Sequence, residues 1–297
     1  MRVNPNQASA LIADMQQSQQ TLATAVDQLA SGKRVTLPSD DPTAFAANVR
    51  SLGTSESVDR YTKNANTVVA RAQMADSALS TVVSSLTQAI SLGTEGANGS
   101  VSTADRSALA TQVQGVLANV LAQANLALGG MALFSGTGTP DQAFTADPTA
   151  SSGFLYNGNT GVNQTTIGDG LRVAVNVPGN QIFLSSKGNV LGSLNQLVTA
   201  LQSGSAADIS TATSAVSAAI THVSQQRVLY ANTVTQADAQ ESFLSQETLS
   251  LSSQQSSLTG IDLATAATNL TQAQTAHTAV LAAAAKVLPV SLLDYLK

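Results

Sequence analysis

Histidine, cysteine and serine most often carry catalysis or hold a metal, and this sequence does not arrange them for either. The chain of 297 residues contains no cysteine, which excludes thiol nucleophiles, thiolate metal sites and disulfides. His222 and His277 stand far apart in the sequence without an HExxH motif. Serine is abundant, but no GxSxG motif of a nucleophilic serine occurs. The sequence therefore predicts no catalytic residue, no metal ligand and no enzyme.

A binding site for phosphate or nucleic acid is also poorly supported. Gly136-Thr137-Gly138 lacks both the GK[ST] ending and the preceding strand of a phosphate loop. The net charge is -5, with 13 basic and 18 acidic residues, so the chain lacks the basic surface that nucleic-acid binding needs. We expect no cofactor and no nucleic-acid partner.

The apolar residues instead follow the spacing of coiled-coil helices, alternating steps of three and four. This spacing predicts helices over residues 8–29, 58–89, 104–128 and 207–258, with a Gly- and Ser-rich turn at 93–100. In the longest of them an unbroken interval of seven connects Ile209, Val216, Val223, Tyr230, Ala237, Leu244, Leu251 and Leu258. Aromatic residues make up only 3% of the chain, which favours thin contacts between helices and an elongated architecture.

Both ends of the chain read as amphipathic helices with an apolar stripe. We predict that these stripes form an assembly interface made of Leu11, Ile12, Met15, Leu22, Val26, Leu29, Leu263, Leu270, Val280, Leu281 and Leu288. The last helix is expected to end at Pro289. Residues 263–285 carry no formal charge but include Asn269, Gln272 and His277, so we expect no membrane insertion. The N-terminus lacks the apolar region of a cleaved secretion signal.

Taken alone, the N-terminal helix is poorly stabilised. Burying its six large apolar residues would contribute roughly 9–18 kcal/mol, whereas ordering its backbone costs on the order of 30 kcal/mol. We therefore expect both ends to be disordered or weakly helical in a free subunit and to fold on assembly. Residues 8–29 carry only Asp14 and Asp27 as charges, which suits packing on several sides. An ordinary buried helix pair within one globule remains the alternative.

A short connection, LASGKRVTLPSDDPTAFA at residues 29–46, separates the first two helices. Gly32 is a natural helix stop, and Arg34 stands where a cation meets the end of a helix. Asp40 and Asp41 precede Pro42, so an aspartate N-cap and a first-turn proline begin the next helix. We predict a structured elbow made of Arg34, Asp40, Asp41 and Pro42.

The amino-acid composition changes between residues 129 and 189, which are rich in Gly, Asn, Thr and Pro. Strand-like segments occur as FLYNG from residue 154, as LRVAVNV at 171–177, and as QIFLS from residue 181 after a Pro178-Gly179 turn. The fold is therefore predicted to be mainly α and elongated, with long antiparallel coiled-coil helices from both chain ends and a small β-rich inserted domain.

Two segments carry a resemblance to a known family. LASGKRVTLPSDDPTAFA resembles the N-terminal signature of the flagellin family, and LTGIDLATAATNLTQAQTAHTAVLAAAAKVLPVSLLDYLK resembles that family's C-terminal helix. The resemblance covers roughly the first 130 and last 100 residues. It implies a terminal coiled-coil assembly domain at 1–40 and 260–297, a helical rod domain at 41–128 and 190–259, and a small outer β-rich domain at 129–189.

The resemblance also implies a function. It suggests a structural part of the bacterial flagellum that joins the hook, through hook-associated protein 1, to the flagellin filament, with copies of itself arranged in a ring. Export would follow the flagellar type III route without a cleaved signal, assisted by an export chaperone, to an extracellular location. Filament flagellin is the alternative, and a type III secreted tip or translocator protein is a more remote one.

Overall fold

A computed structural model describes the backbone of residues 6–295 and the side chains of residues 9–286. Within that range the helices are α1 Asn6–Ser31, α2 Pro42–Gly96, α3 Thr103–Ala124, α4 Gly179–Phe183, α5 Val190–Ser203, α6 Ala206–Thr259 and α7 Leu263–Tyr295. The strands are β1 Ala127–Leu128, β2 Met131–Ala132, β3 Phe144–Ala146, β4 Phe154–Tyr156, β5 Gln164–Gly168 and β6 Leu171–Ala174. The fold is mainly α, as predicted.

The chain divides into two compact units. The terminal unit comprises Met1–Ser57 and Gln246–Lys297, and the central unit comprises Val58–Ser245. Helices α2 and α6 each contribute one segment to either unit.

The central unit is built on the predicted heptad residues. Those of α2 from Ala65 to Ala89 and those of α6 from Ile209 to Leu244 are buried. From Ala72 onward in α2 and up to Tyr230 in α6, they join α3 and α5 in one apolar core, to which α3 contributes Leu109, Val113, Val116 and Val120. Because so many of these residues are Ala or Val, helix backbones can approach closely. The core is therefore made by helix faces, as the periodicity predicted.

Polar contacts also connect α2 and α6 inside the central unit. Arg227 donates to Asp76 through both Nε and Nη2, at 2.8 and 3.1 Å. These hydrogen bonds raise the pKa of Arg227. The hydroxyl of Tyr230 accepts from the backbone N–H of Val177 at 3.1 Å, and burial raises the pKa of Tyr230 to about 12. Helix α6 is thereby bonded both to α2 and to the chain that follows β6.

The inserted segment consists of three separate two-stranded antiparallel sheets, β1–β2, β3–β4 and β5–β6. Their registers pair Ala127 with Ala132, Thr145 with Leu155, and Thr165 with Val173. The last sheet packs Ile167, Val173 and Val175 against Ala65, Val68 and Ala237 of the long helices. Short strands therefore owe their stability to the helices beneath them.

Three phenylalanines anchor the insert to the core. Phe183 contacts Phe134 and Phe144 edge to face, with ring centroids 5.3 Å apart in both pairs. All three rings are fully buried. Asn125, at the end of α3, donates to the Phe144 carbonyl and accepts from its N–H, so it pairs with β3 as a neighbouring strand would.

Two predictions about secondary structure are wrong. QIFLS is not a strand, because Gln181–Phe183 belong to helix α4, where the neighbours Ile182 and Phe183 are both buried. Successive residues of a strand point to opposite faces, so only a helical turn sends both side chains to one core. Helix α7 also continues past Pro289 to Tyr295, since the fixed φ of proline fits a helix and only one hydrogen bond is lost near the end.

Candidate assembly surface

Helices α1 and α7 pair with each other in the terminal unit. Lys33 forms an antiparallel bridge with Gly260, and Ser18 bonds to His277, so the two helices run in opposite directions. The facing residues, which we call the seam, are Leu11, Met15, Ser18, Leu22, Ala25 and Leu29 of α1 and Ala266, Leu270, Ala273, His277, Val280 and Ala284 of α7. Steps of three and four residues separate them on both helices, which is the spacing of a coiled-coil seam.

The seam is thin. The residues that it buries fully are all alanines: Ala25, Ala266, Ala273 and Ala284. Its larger members stay half-buried. Each terminal helix therefore has a partner in its own chain. The small apolar area of that partner now supports the prediction of weak helicity in a free subunit, which stays a prediction.

A polar pair interrupts the seam near its middle. The Ser18 hydroxyl lies 3.0 Å from Nδ1 of His277 and 2.9 Å from the Met15 carbonyl oxygen. A hydroxyl has one proton, so when Ser18 donates to Met15 it accepts from Nδ1–H of His277. The Ser18 hydroxyl is thus satisfied on both sides.

One flank of the seam is apolar and exposed. We call it the apolar edge: Ile12 (50% exposed), Val26 (46%), Leu263 (61%) and Leu281 (41%). At about 100° per residue all four fall on the same side of the antiparallel pair. An isolated exposed Leu is ordinary, but four large apolar side chains aligned along one flank indicate a surface that another molecule covers.

The opposite flank is a polar groove of about 580 Å³. It is lined by Gln17, Gln20, Thr21, Thr24, Ala25, Gln28, Asn269, Gln272, Ala273 and Ala276. We call it the amide groove, since amide side chains make up half of its lining. It offers hydrogen-bond donors and acceptors without net charge.

The predicted interface residues divide between these surfaces. Leu11, Met15, Leu22, Leu29, Leu270 and Val280 lie in the seam, and Ile12, Val26, Leu263 and Leu281 form the apolar edge. The side chain of Leu288 lies outside the described residues. The amide groove was missed, although Gln17, Gln20, Thr24 and Gln28 recur at helical spacing in the sequence and could have indicated it.

The elbow, residues 32–41, connects α1 to α2 and is fastened to the segment between α6 and α7. Gly32 has a φ of +65°, the left-handed conformation that ends a helix and favours glycine. The Arg34 N–H donates to the Thr259 carbonyl at 2.6 Å, and the Ile261 N–H donates to the Gly32 carbonyl at 3.2 Å. Backbone hydrogen bonds therefore join the α1–α2 connection to the α6–α7 connection.

Each predicted elbow side chain has a local partner. Oδ1 of Asp41 accepts from the Ala44 N–H at 3.0 Å, an N-cap of α2, and Pro42 is the first residue of that helix. Nη2 of Arg34 lies 3.3 Å from Oδ2 of Asp41 and 3.3 Å from the Leu258 carbonyl oxygen. The ion pair is half exposed, so solvent weakens it.

Asp40 closes a separate turn. Its Oδ2 accepts from the backbone N–H groups of Leu37 and Thr36, at 2.8 and 3.0 Å, and from the Thr36 hydroxyl at 3.3 Å. These bonds, that of Leu37 above all, lower the pKa of Asp40. The Ala44 N–H, followed by the Arg34 guanidinium, lowers the pKa of Asp41.

The N-cap gives a first prediction. Replacing Asp41 by Ala should lower the melting temperature of the subunit, since the Ala44 N–H loses its acceptor. Asp41→Asn keeps an acceptor oxygen and serves as the control with the smaller loss. Thermal unfolding of the purified subunits measures both. Equal losses for the two variants would contradict the capping role.

The lowered pKa values of Asp40 and Asp41 give a second prediction. Because folding lowers the pKa of Asp40 and Asp41, their stabilisation is fully present above the unfolded-state pKa and is lost as the pH falls through the folded-state pKa. Carboxyl-carbon NMR titration should show both groups protonating at lower pH in the native subunit than in urea. Coincident titrations in the two states would count against the hydrogen bonds described here.

Outside the terminal unit, the side chains that were considered for catalysis or ligand binding form hydrogen bonds within the protein. His222 is buried, and its Nε2 lies 2.7 Å from the Gln181 carbonyl oxygen. In the GTG loop, Oδ1 of Asn159 accepts from Thr137 N–H at 2.8 Å and from Gly161 N–H at 2.9 Å, so these backbone donors are already bonded within the protein. Among the described residues no group of three or more His, Asp or Glu could hold a metal ion.

Known proteins share this helical organisation. Residues 3–139 match the bacterial flagellin N-terminal helical region. The "Flagellar hook-associated protein 3" of Salmonella typhimurium is 28% identical over 166 residues, 56% of this chain and 51% of that protein. The Escherichia coli protein of the same name is 31% identical over 122 residues, 41% of this chain and 38% of that protein. The matched segments thus span about half or less of these relatives.

A solved structure extends the likeness to the fold. The flagellar junction protein FlgL from Legionella pneumophila superposes with a TM-score of 0.58 and 14% identity, over 72% of this chain and all of that chain. At such low identity the likeness concerns the fold alone. Residues 3–139 are thus similar to the helical region of bacterial flagellins, and the fold is similar to that of a flagellar junction protein.

Proposed function

We propose that this protein is a structural component of the bacterial flagellum, placed where the hook meets the filament. Its relatives in Salmonella and Escherichia coli carry the name hook-associated protein 3. The observation that carries the proposal is the apolar edge of the α1–α7 pair, which stays exposed although the seam beside it is closed. A mechanical role uses such a surface without any catalytic group.

The two unlike flanks support a ring of copies. An isologous dimer would bring apolar edge to apolar edge and leave both amide grooves open. A head-to-tail contact sets the edge of one copy against the groove of the next, where alanine and the methylene groups of glutamine can cover it. Repetition of that contact closes a ring when the rotation permits.

The remaining partners follow from the resemblance. Hook-associated protein 1 lies on the hook side in this proposal and flagellin on the filament side, and both meet the terminal helices of residues 1–40 and 260–297. Residues 41–128 and 190–259 form the rod, and residues 129–189 form the outer domain. The chain reaches its extracellular place unfolded through the flagellar type III route, with a chaperone on its C-terminal region.

Filament flagellin is the second candidate, favoured by the match to the flagellin N-terminal helical region. The two candidates differ in location along the flagellum. A type III translocator has less support. None of the helices in the described range is long and apolar enough to span a bilayer.

Electron microscopy of a deletion strain tests the proposal. We expect hooks without filaments and monomeric flagellin in the medium, and complementation with the intact gene should restore filaments. Gold labelling of intact flagella then separates the candidates: label confined to the base of each filament supports the junction, whereas label along the whole filament supports filament flagellin. Normal filaments in the deletion strain would refute both.

A further inference from the structure

The sequence contains two Asn–Gly steps, Asn98-Gly99 and Asn157-Gly158. Such a step can lose ammonia without an enzyme, because glycine has no side chain to hinder attack by its backbone nitrogen on the preceding carboxamide. In a folded protein the rate depends on whether the asparagine can bring its Cγ to that nitrogen. The two steps differ sharply in this respect.

Asn157 is exposed, but hydrogen bonds hold both its side chain and its backbone in place. Its Nδ2 donates to the Gln142 carbonyl and to the Thr145 hydroxyl, both at 3.2 Å, and its backbone N–H donates to the Ala143 carbonyl at 2.9 Å. Gly158 packs against the Ser135 carbonyl and the Tyr156 ring. Attack at Asn157 would require several of these contacts to break together.

Asn98 lies in the exposed turn between α2 and α3, where its backbone N–H donates to the Glu95 carbonyl at 3.1 Å but its side-chain nitrogen lacks the contacts that hold Asn157. In the part of the chain that the structure describes, its Nδ2 makes no hydrogen bond, and neither does the Gly99 N–H. No atom of another residue lies near the Cβ position of Gly99. The turn therefore leaves both the leaving group and the nucleophile free.

The turn also activates the carbonyl under attack. Oδ1 of Asn98 accepts from the Ser100 N–H at 3.2 Å and from the Ser100 hydroxyl at 3.0 Å. Negative charge develops on that oxygen when a nucleophile adds to Cγ, and donors already aimed at it stabilise the charge. The hydrogen bonds that order the turn thus favour the reaction.

We propose that Asn98 is a site of spontaneous deamidation in the native protein and that Asn157 is protected. The Gly99 nitrogen gives its proton to water and bonds to Cγ of Asn98, while the Cγ–Nδ2 bond breaks and the amide nitrogen takes up one proton from water and leaves as ammonia. Water then opens the five-membered imide at either carbonyl, which yields aspartate or isoaspartate. The turn gains one negative charge without any oxidant or enzyme.

The new charge lies close to the start of α3. That helix is capped by Ser102, whose Oγ accepts from the Asp105 N–H at 3.2 Å. Position 98 lies between the C-terminus of α2 and the N-terminus of α3, so the two helix dipoles act on an added carboxylate in opposite senses. The carboxylate of an ordinary aspartate stays in water in this exposed turn, so that product stays folded and accumulates with the age of the subunit.

Peptide mapping by mass spectrometry tests the proposal on the full chain, after incubation at mildly alkaline pH. We expect aspartate and isoaspartate at position 98 to form about tenfold faster than at position 157, because Asn157 must break two side-chain hydrogen bonds. The matched variant Gly99→Ala fits the open space and should slow the reaction. In urea the two steps should react at similar rates.

Each measurement has an outcome that overturns the proposal. Equal native rates at Asn98 and Asn157 would remove the role of the turn. An unchanged rate in Gly99→Ala would exclude attack by the Gly99 nitrogen. Slow reaction of Asn157 in urea would show that its protection does not come from the folded structure.

Discussion

A subunit carrying Leu281→Asp is expected to fold normally and yet to leave cells without filaments. Leu281 belongs to the apolar edge and is 41% exposed, so in the free subunit the new carboxylate stays in water. In the assembly it would be buried against a neighbour without a partner, which costs about 3–5 kcal/mol. That loss lowers the association constant by a factor of 100 or more. Motility assays and electron microscopy measure it.

Two further variants give the experiment its sharpness. Thr275 is exposed on the side of α7 that faces away from the seam, so Thr275→Asp adds the same charge to the same helix and should preserve motility. Leu270 lies in the seam instead, so Leu270→Asp should reduce the helix content of the free subunit as well as block assembly. Motile cells with Leu281→Asp would rule out the apolar edge as the assembly surface.

Phe183→Ala should cause the largest loss of stability in the central unit. The ring is fully buried and contacts both Phe134 and Phe144 at 5.3 Å. Removing it leaves a cavity where helix α4 meets the insert, at an expected cost of about 3–5 kcal/mol. Urea unfolding of the purified subunit, followed by circular dichroism, should show the midpoint falling accordingly.

The chain contains its own control for this substitution. Phe243 is 57% exposed on α6, so Phe243→Ala removes the same ring from a place where little packing is lost. Its expected effect is within about 0.5 kcal/mol. Similar losses for the two variants would mean that the aromatic cluster does not hold the insert to the helices.

The long helices could be predicted because almost every residue of their heptad patterns is buried. In α6, Ile209, Val216, Val223 and Leu244 stand at multiples of seven and are all buried. A pattern sustained over so many turns has no competing strand interpretation, since strands repeat every two residues. The elbow could be predicted equally well, because helix capping involves residues that are neighbours in the sequence.

Short secondary-structure elements and the pairing of distant segments were not fully predicted from the sequence. QIFLS has β-forming residues, yet its place beside the aromatic cluster makes it helix α4, and nothing local encodes that place. The register of the α1–α7 seam, residue by residue, could not be predicted for a related reason. A stripe of Leu and Ala indicates that the helix has a partner but does not identify it. For α1 the partner is α7, which lies more than 200 residues away along the chain.

The fastening at the elbow has a mechanical consequence. A pull on α1 passes to α2 through the covalent chain, to α7 across the seam, and to the connection between α6 and α7 through the backbone hydrogen bonds Gly32–Ile261 and Arg34–Thr259. The elbow therefore cannot move away from the start of α7 unless these two hydrogen bonds break.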